Sequence, residues 1–337
     1  MAPPTQAPLR VELAGASSRR VGPQRGLARR DASSWQRRLR SAADEVREAG
    51  AQGMLPHVAW WSESAPKATD LTTPCTISGE PGAVDAVCLG LPELDHARVH
   101  RHTGPFDVPV VQVDGAPSVG ETTQEDLRFG PFSPTAVALR RAVLGREDSD
   151  EVDRRLAEAR QAVASAATDM GADAALGLVA SAWKGATPTV LCRPELLDLG
   201  TWWGRVLTAV TCKPTGDSGP QVLRGLAPRV ALMGDEAALQ AAVFGQPPSP
   251  VVLLVAARPS ADQRARTQAT SETLARRGCP VVVLTLPGTT AADKVPAAWV
   301  LLHAALTLAV VIGAPPLTLA AGEDLRRLLV STGHAPA

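Results

Sequence analysis

Residues 251–286 read VVLLVAARPSADQRARTQATSETLARRGCPVVVLTL. Val251–Ala256 and Pro280–Leu286 are unbroken apolar runs of strand length, and Ala261–Arg277 between them is polar and rich in helix formers. Strands that are apolar on both sides and alternate with helices belong to a parallel sheet covered on both faces. The pattern extends outward from this unit. Upstream come a strand at Thr187–Cys192, a helix near Glu195–Thr211, a strand at Arg229–Met233 and a helix at Glu236–Val243. Downstream, Ala297–Ile312 reads as a helix, followed by a last one near Glu323–Val330. Ser149 or Asp150 is placed to cap an earlier helix that sets Val152, Leu156, Ala159 and Val163 on one face. The reading is a doubly wound α/β domain over residues 149–332, whose ligands are expected at the carboxyl ends of the strands.

The first half is less regular. Residues 1–30 are rich in Pro, Gly and Arg and read as a flexible basic arm. Residues 31–148 form the other domain, opening with a helix from Asp31 to Gly50 that buries Trp35, Leu39 and Val46. Two strands are predicted there, Ala83–Leu91 and Val108–Val113, with no clearly periodic helix between them.

Composition narrows the function classes. The 337 residues are 45% hydrophobic and carry 34 Lys+Arg against 34 Asp+Glu, so general nucleic-acid binding through phosphate neutralisation is not expected. The five cysteines contain no CxxC pair, which argues against a disulfide framework or a zinc ribbon. MAPPTQAPLRVEL has no apolar core of a secretory signal. Ala297–Ala314 is long and apolar enough to be weighed as a membrane span, but His303 and its alanine content suit a buried core helix better. The expected location is the cytoplasm, and arginine and alanine richness suggests a high-GC bacterial gene.

Four stretches carry a resemblance. They are LARRDASSW ending at Trp35, LRFGPFSPTAVALRRAVLG around Arg128, LLDLGTWWGRVLTAVTCKPTGDSG at 196–219, and AAWVLLHAALTLAVVIGAPPLTLAAGEDLRR near the end. In their order and phrasing they resemble the bacterial phosphoglucose (glucose-6-phosphate) isomerase family, built from two sugar-isomerase (SIS) domains. The likeness is closest to the compact form associated with transaldolase. It implies that 149–332 is an SIS-like domain and 31–148 a reduced, truncated one.

The departures from the family pattern are chemical. The family's catalytic Glu falls on Val210, and shifting the alignment by one gives Ala209 or Thr211. None of these can move a proton between sugar carbons. The family's closing lysine becomes Arg326, which keeps the charge but sheds no proton. The first phosphate loop should follow AVCLG, yet Leu91-Pro92-Glu93 stands there. Gly90 and Arg128 also lie too close in sequence for the family's intervening strand–helix units. The resemblance still implies an anion grip from Arg128, Lys213 and Arg326, meeting at the carboxyl ends of the strands.

Other clusters carry less. His96, His100 and His102 would offer metal ligands if their segment were helical, but a solvated loop explains them and no metal or cofactor is expected. Thr215–Gly219 beside Lys213 has turn composition, with Asp217 opposing an anion. No Walker loop, dinucleotide fingerprint or nucleophile elbow is present. Three readings follow: an isomerase-like protein impaired in catalysis that acts as a partner or regulator in sugar-phosphate metabolism; an active aldose–ketose isomerase using displaced Glu195, Glu323 or His303; or a purely structural subunit. The first expects a phosphosugar or other small anion as ligand, no nucleic acid or membrane, and pairing with itself or an intact paralogue.

Overall fold

The computed structural model describes residues 8–14, 29–51, 74–79, 87–91, 99–101, 110–113, 132, 134–164, 187–211, 213–215, 222–224, 226, 228–245 and 248–312. In chain order the elements are β1 (Arg10–Ala14), α1 (Arg29–Ala51), β2 (Cys75–Gly79), β3 (Val99–Arg101), β4 (Val110–Val113), α2 (Pro134–Leu144) and α3 (Arg146–Ala164). There follow β5 (Thr189–Cys192), a 3-10 turn (Pro194–Leu196), α4 (Leu197–Thr211), β6 (Lys213–Thr215), β7 (Val222–Arg224) and β8 (Arg229–Leu232). The chain continues through α5 (Glu236–Phe244), β9 (Val251–Ala256), α6 (Ala261–Arg276), β10 (Val281–Leu286) and α7 (Ala291–Val311).

The main sheet has the order β1-β10-β9-β5-β8. Its last four strands are parallel, with Thr189 paired to both Val251 and Arg229, and Val281 to Val251. The period of two along each strand divides the apolar runs between two cores. Val190, Cys192, Val252, Leu254, Val282, Leu284 and Leu286 pack with residues of α1, α3, α4 and α7. Leu191, Val251, Leu253 and Val281 pack on the other side with Ala238 and Ala242 of α5 and Leu274 of α6. Each fully buried aliphatic side chain contributes roughly 1.5–3 kcal/mol. Helices therefore cover both faces, as the continuous apolar strands required.

Helix α7 is long and apolar enough to cross a membrane, but 89% of its apolar window is buried inside the protein. It is the central helix of the larger core, and Trp203 of α4 donates its indole N–H to the Leu301 carbonyl at 3.0 Å. It begins at Ala291, six residues before the sequence placed its start. The Asp293 carboxylate accepts from the Thr290 N–H at 3.2 Å and from the Thr290 hydroxyl at 2.6 Å. This cap starts the helix ahead of Pro296, which lies within it. Helix α3 likewise starts at Arg146, ahead of the expected Ser149 or Asp150. Gly145, at φ +79°, makes the break from α2, and Ser149 ties back to its carbonyl at 2.7 Å.

Two corrections concern the first half. Residues assigned to the basic arm form β1, an antiparallel edge strand on β10, running from Arg10↔Thr285 to Ala14↔Val281. The run expected as a strand at Ala83–Leu91 is helical at Val87 and turns at Cys88–Gly90, with Gly90 at φ +80°. A short apolar run reads as either element, and a left-handed glycine ends a helix. The missed strand is β2, which joins β3 and β4 in a small parallel sheet of order β3-β2-β4. There Cys75 and Ile77 pack with Val87, Cys88 and Leu91 and with Ala136, Leu139 and Val143 of α2. The expected strand at Val108–Val113 is present as β4. Helix α1, grouped by sequence with this layer, buries Leu39, Ala42 and Val46 in the larger core instead. The expected helix at Glu323–Val330 lies outside the described residues.

Candidate functional site

In the main sheet β5 lies between β8 and β9, so the chain changes winding direction at the β5/β9 boundary. The carboxyl ends of these strands are where an α/β sheet opens a crevice. Cys192 ends β5, and the turn after it starts α4 with Asp198 in the first turn. Leu286 ends β10, and α7 starts with Asp293 and Lys294. Two helix N-termini thus meet at this rim, which favours carboxylates there.

The centre of the rim is an ion pair. Lys294 Nζ donates to both oxygens of Asp198, at 3.0 and 2.9 Å. Asp198 Oδ1 also accepts from the Leu199 N–H at 2.8 Å, and Oδ2 from the Gly90 N–H at 3.4 Å. Beside it Arg155 of α3 reaches Asp293 Oδ1 at 2.8 Å. A carboxylate has about four acceptor positions. Those of Asp198 are engaged by Lys294 and by the Leu199 and Gly90 N–H groups, so it ties the Gly90 turn to α4 and α7. Gly288 leaves room for this arrangement, because a side chain there would collide with the Asp293 carboxylate.

Gly90 brings the first half to this rim through its N–H, 3.4 Å from Asp198 Oδ2. A Cβ there would stand 3.1 Å from the Ala291 Cα, in addition to the left-handed φ. Gly90→Ala is expected to lower stability by about 1–2 kcal/mol from backbone conformation alone, and further from crowding. Urea denaturation checks this, and an unchanged midpoint would mean that the turn yields.

On the other side of the crevice Arg193 is 6% exposed. Its Nη2 donates to the Gln263 carbonyl at 2.6 Å and the Thr267 hydroxyl at 2.8 Å, which fastens β5 to α6. Burial, aided by the Asp198 charge, pushes the Cys192 thiol up to about 12, so it stays protonated and unreactive. The described cysteines Cys75, Cys88, Cys192 and Cys279 are all buried, and none of them is in a disulfide.

The residues singled out by sequence fall elsewhere. Helix α4 has 15 residues, about 22 Å of rise, and it runs back antiparallel to the strands. A Cβ on Gly200 would strike Cys192 at the carboxyl end of β5, while one on Gly204 would meet Val230 and Pro228 at the start of β8. Val210 and Ala209 are in the last turn of α4. Thr211 is a tie: its hydroxyl donates to the Leu207 carbonyl and accepts the Leu226 N–H at 2.8 Å. Lys213 opens β6, which pairs antiparallel with β7. These positions sit at the amino ends of the strands, which corrects the expected placement of Lys213 at the carboxyl ends. Arg128, Arg326 and Glu323 lie outside the described residues, as do His96, His102 and the turn 216–219. His100 is in β3, opposite Thr76, so the helical spacing supposed for the histidines does not hold there. Among the described residues no group of His, Cys, Asp and Glu could hold a metal ion.

His303 is on α7, with its ring 5.1 Å from that of Trp299. Burial pushes it down to about 4, so it is neutral at pH 7. Sequence reasoning missed Asp198 and Lys294. The available signal was a lysine entering an otherwise apolar helix, since a charge in such a place needs a partner.

No family model matches the chain, and no curated protein matches it in sequence. Solved structures do match its fold. A hypothetical protein from Thermus thermophilus superposes with a TM-score of 0.54 at 13% identity, covering 88% of this chain and 90% of that one. A glucose-6-phosphate isomerase from Chlamydia trachomatis superposes with a TM-score of 0.52 at 11% identity, covering 91% and 76%. The chain shares the α/β fold of these two proteins.

Proposed function

We propose that the chain is an SIS-fold protein of sugar-phosphate metabolism that has lost aldose–ketose isomerase chemistry and binds a phosphosugar or related small anion. What supports this reading is the resemblance, which sets Val210, a residue in the last turn of α4, at the position of the family's base. The carboxylates Asp198 and Asp293 do not replace it, because hydrogen bonds and ion pairs engage them. In this reading Arg128 and Arg326 supply the anion grip, without Lys213. The protein works in the cytoplasm as a regulator or partner subunit, paired with itself or with an intact paralogue.

Interconversion of glucose 6-phosphate and fructose 6-phosphate by the purified protein is expected at background, since a placed base alone contributes about a hundredfold to ten-thousandfold. Robust turnover would overturn the reading. Fructose 6-phosphate is expected to raise the melting temperature, because a ligand of the folded state stabilises it. No rise would leave the purely structural reading.

One observation favours an active isomerase instead. Glu195, in the turn between β5 and α4, is partly buried and makes no hydrogen bond or ion pair with another described side chain. If turnover is found, Glu195→Gln should abolish it.

A further inference from the structure

Arg140 lies on α2 and is 1% exposed, among the largest fully buried side chains of the protein. Both terminal nitrogens of its fork, Nη1 and Nη2, are shielded from solvent and have no hydrogen-bond partner. Burial pushes its pKa down only to about 10, so the charge persists at pH 7. Its helix neighbours Ala136, Leu139 and Val143 belong to the apolar layer formed with Cys75, Ile77, Val87, Cys88 and Leu91. The charge of Asp153 on α3 acts favourably on it, but that carboxylate is paired with Arg141 at 3.1 Å, and the Arg141 charge opposes. A buried charge without a partner is among the most destabilising features a fold can carry, and a guanidinium cannot relieve it by losing its proton. The hydroxyl of Thr76 is also buried without a partner. It alternates to the far face of the small sheet, away from Cys75 and Ile77, and is not part of the site.

We propose that Arg140 is the receptor for an oxyanion, a phosphate or a carboxylate, that enters the small N-terminal layer and takes two parallel N–H···O bonds from the open fork. A planar fork matches these anions and no neutral ligand satisfies its charge. The proposal does not rest on the function proposed above.

The test is thermal denaturation of the full chain in phosphate-free buffer, titrated with sodium phosphate and separately with sodium acetate. Sodium chloride at matched ionic strength is the reference. The wild type is expected to gain several degrees with one of the two anions as its concentration approaches about a hundred times Kd. The responding anion identifies the source. Arg140→Met, similar in length and uncharged, should melt higher than the wild type without added anion and should not respond. Arg140→Lys keeps the charge without the fork and should respond weakly. Arg146→Gln, a change at a side chain 94% exposed, should respond as the wild type does. The proposal is overturned if the wild type responds to neither anion, or if Arg140→Met responds as fully as the wild type.

Discussion

Asp198→Ala is expected to destabilise the protein by about 3–5 kcal/mol, the range found when one partner of a buried ion pair is removed. Lys294 is the reason. Its side chain is 10% exposed and Asp198 is its ion-pair partner among the described residues, so the variant leaves an ammonium stranded at the first turn of α7. The N–H groups of Gly90 and Leu199 lose an acceptor as well. Lys294→Met should cost less, because the Asp198 side chain is 29% exposed and keeps both N–H donors. The double variant Asp198→Ala/Lys294→Met should therefore be more stable than Asp198→Ala alone, a sign reversal that only direct coupling produces. Urea unfolding of the four proteins gives the cycle. A loss below about 1 kcal/mol for Asp198→Ala, the scale of an exposed pair, would show that water screens the interaction.

That pair also marks where the sequence stops being legible. Strands β5, β9 and β10 were readable because a strand buried on both faces needs an apolar run, and β8, at the sheet edge and only partly buried, still carries the run Val230–Leu232. Helix α6 was bounded by its own chemistry, since Ser260 and Gln263 form a capping box at one end and Gly278 follows the other. Strand β1 was not readable. RVELA alternates as an edge strand should, but its partner is β10, at the far end of the chain, and nothing local distinguishes it from the surrounding arm. Asp198 and Lys294 lie 96 positions apart for the same reason: the pairing exists only once two βα turns are brought to one rim. A family motif locates a residue along the chain and not in space. Lys213 follows α4, and the return of that helix carries it to the rim opposite Asp198.

Acidification from pH 7 to pH 4 is expected to remove about 3 kcal/mol of stability through His303 alone, since each unit of pKa difference is about 1.4 kcal/mol. The ring has a pKa of about 4 in the folded protein against 6.5 when unfolded, and burial is the cause. Between these values the unfolded chain binds the proton and the folded one does not, so stability rises with pH across that window. The contribution is fully present above pH 6.5 and is lost as pH falls to about 4. Among the described residues no carboxylate compensates near the ring: Trp299 stacks beside it, and Arg160 of α3 stands 5.6 Å from the Trp299 ring centre. The His303 Nε2 atom is buried without a partner, so an added proton there would gain no described acceptor. Glu151 is held below the usual carboxylate range by hydrogen bonds from Arg154 and Arg155, so its own contribution is lost only toward the acid end of the scan. His303→Leu should therefore flatten the stability profile between pH 6.5 and 4 while leaving the fall below that window in place. Urea midpoints at half-unit pH steps, followed by tryptophan fluorescence, resolve the two. Parallel profiles for the wild type and the variant would show that the ring is reached by water and that its proton is not excluded by burial.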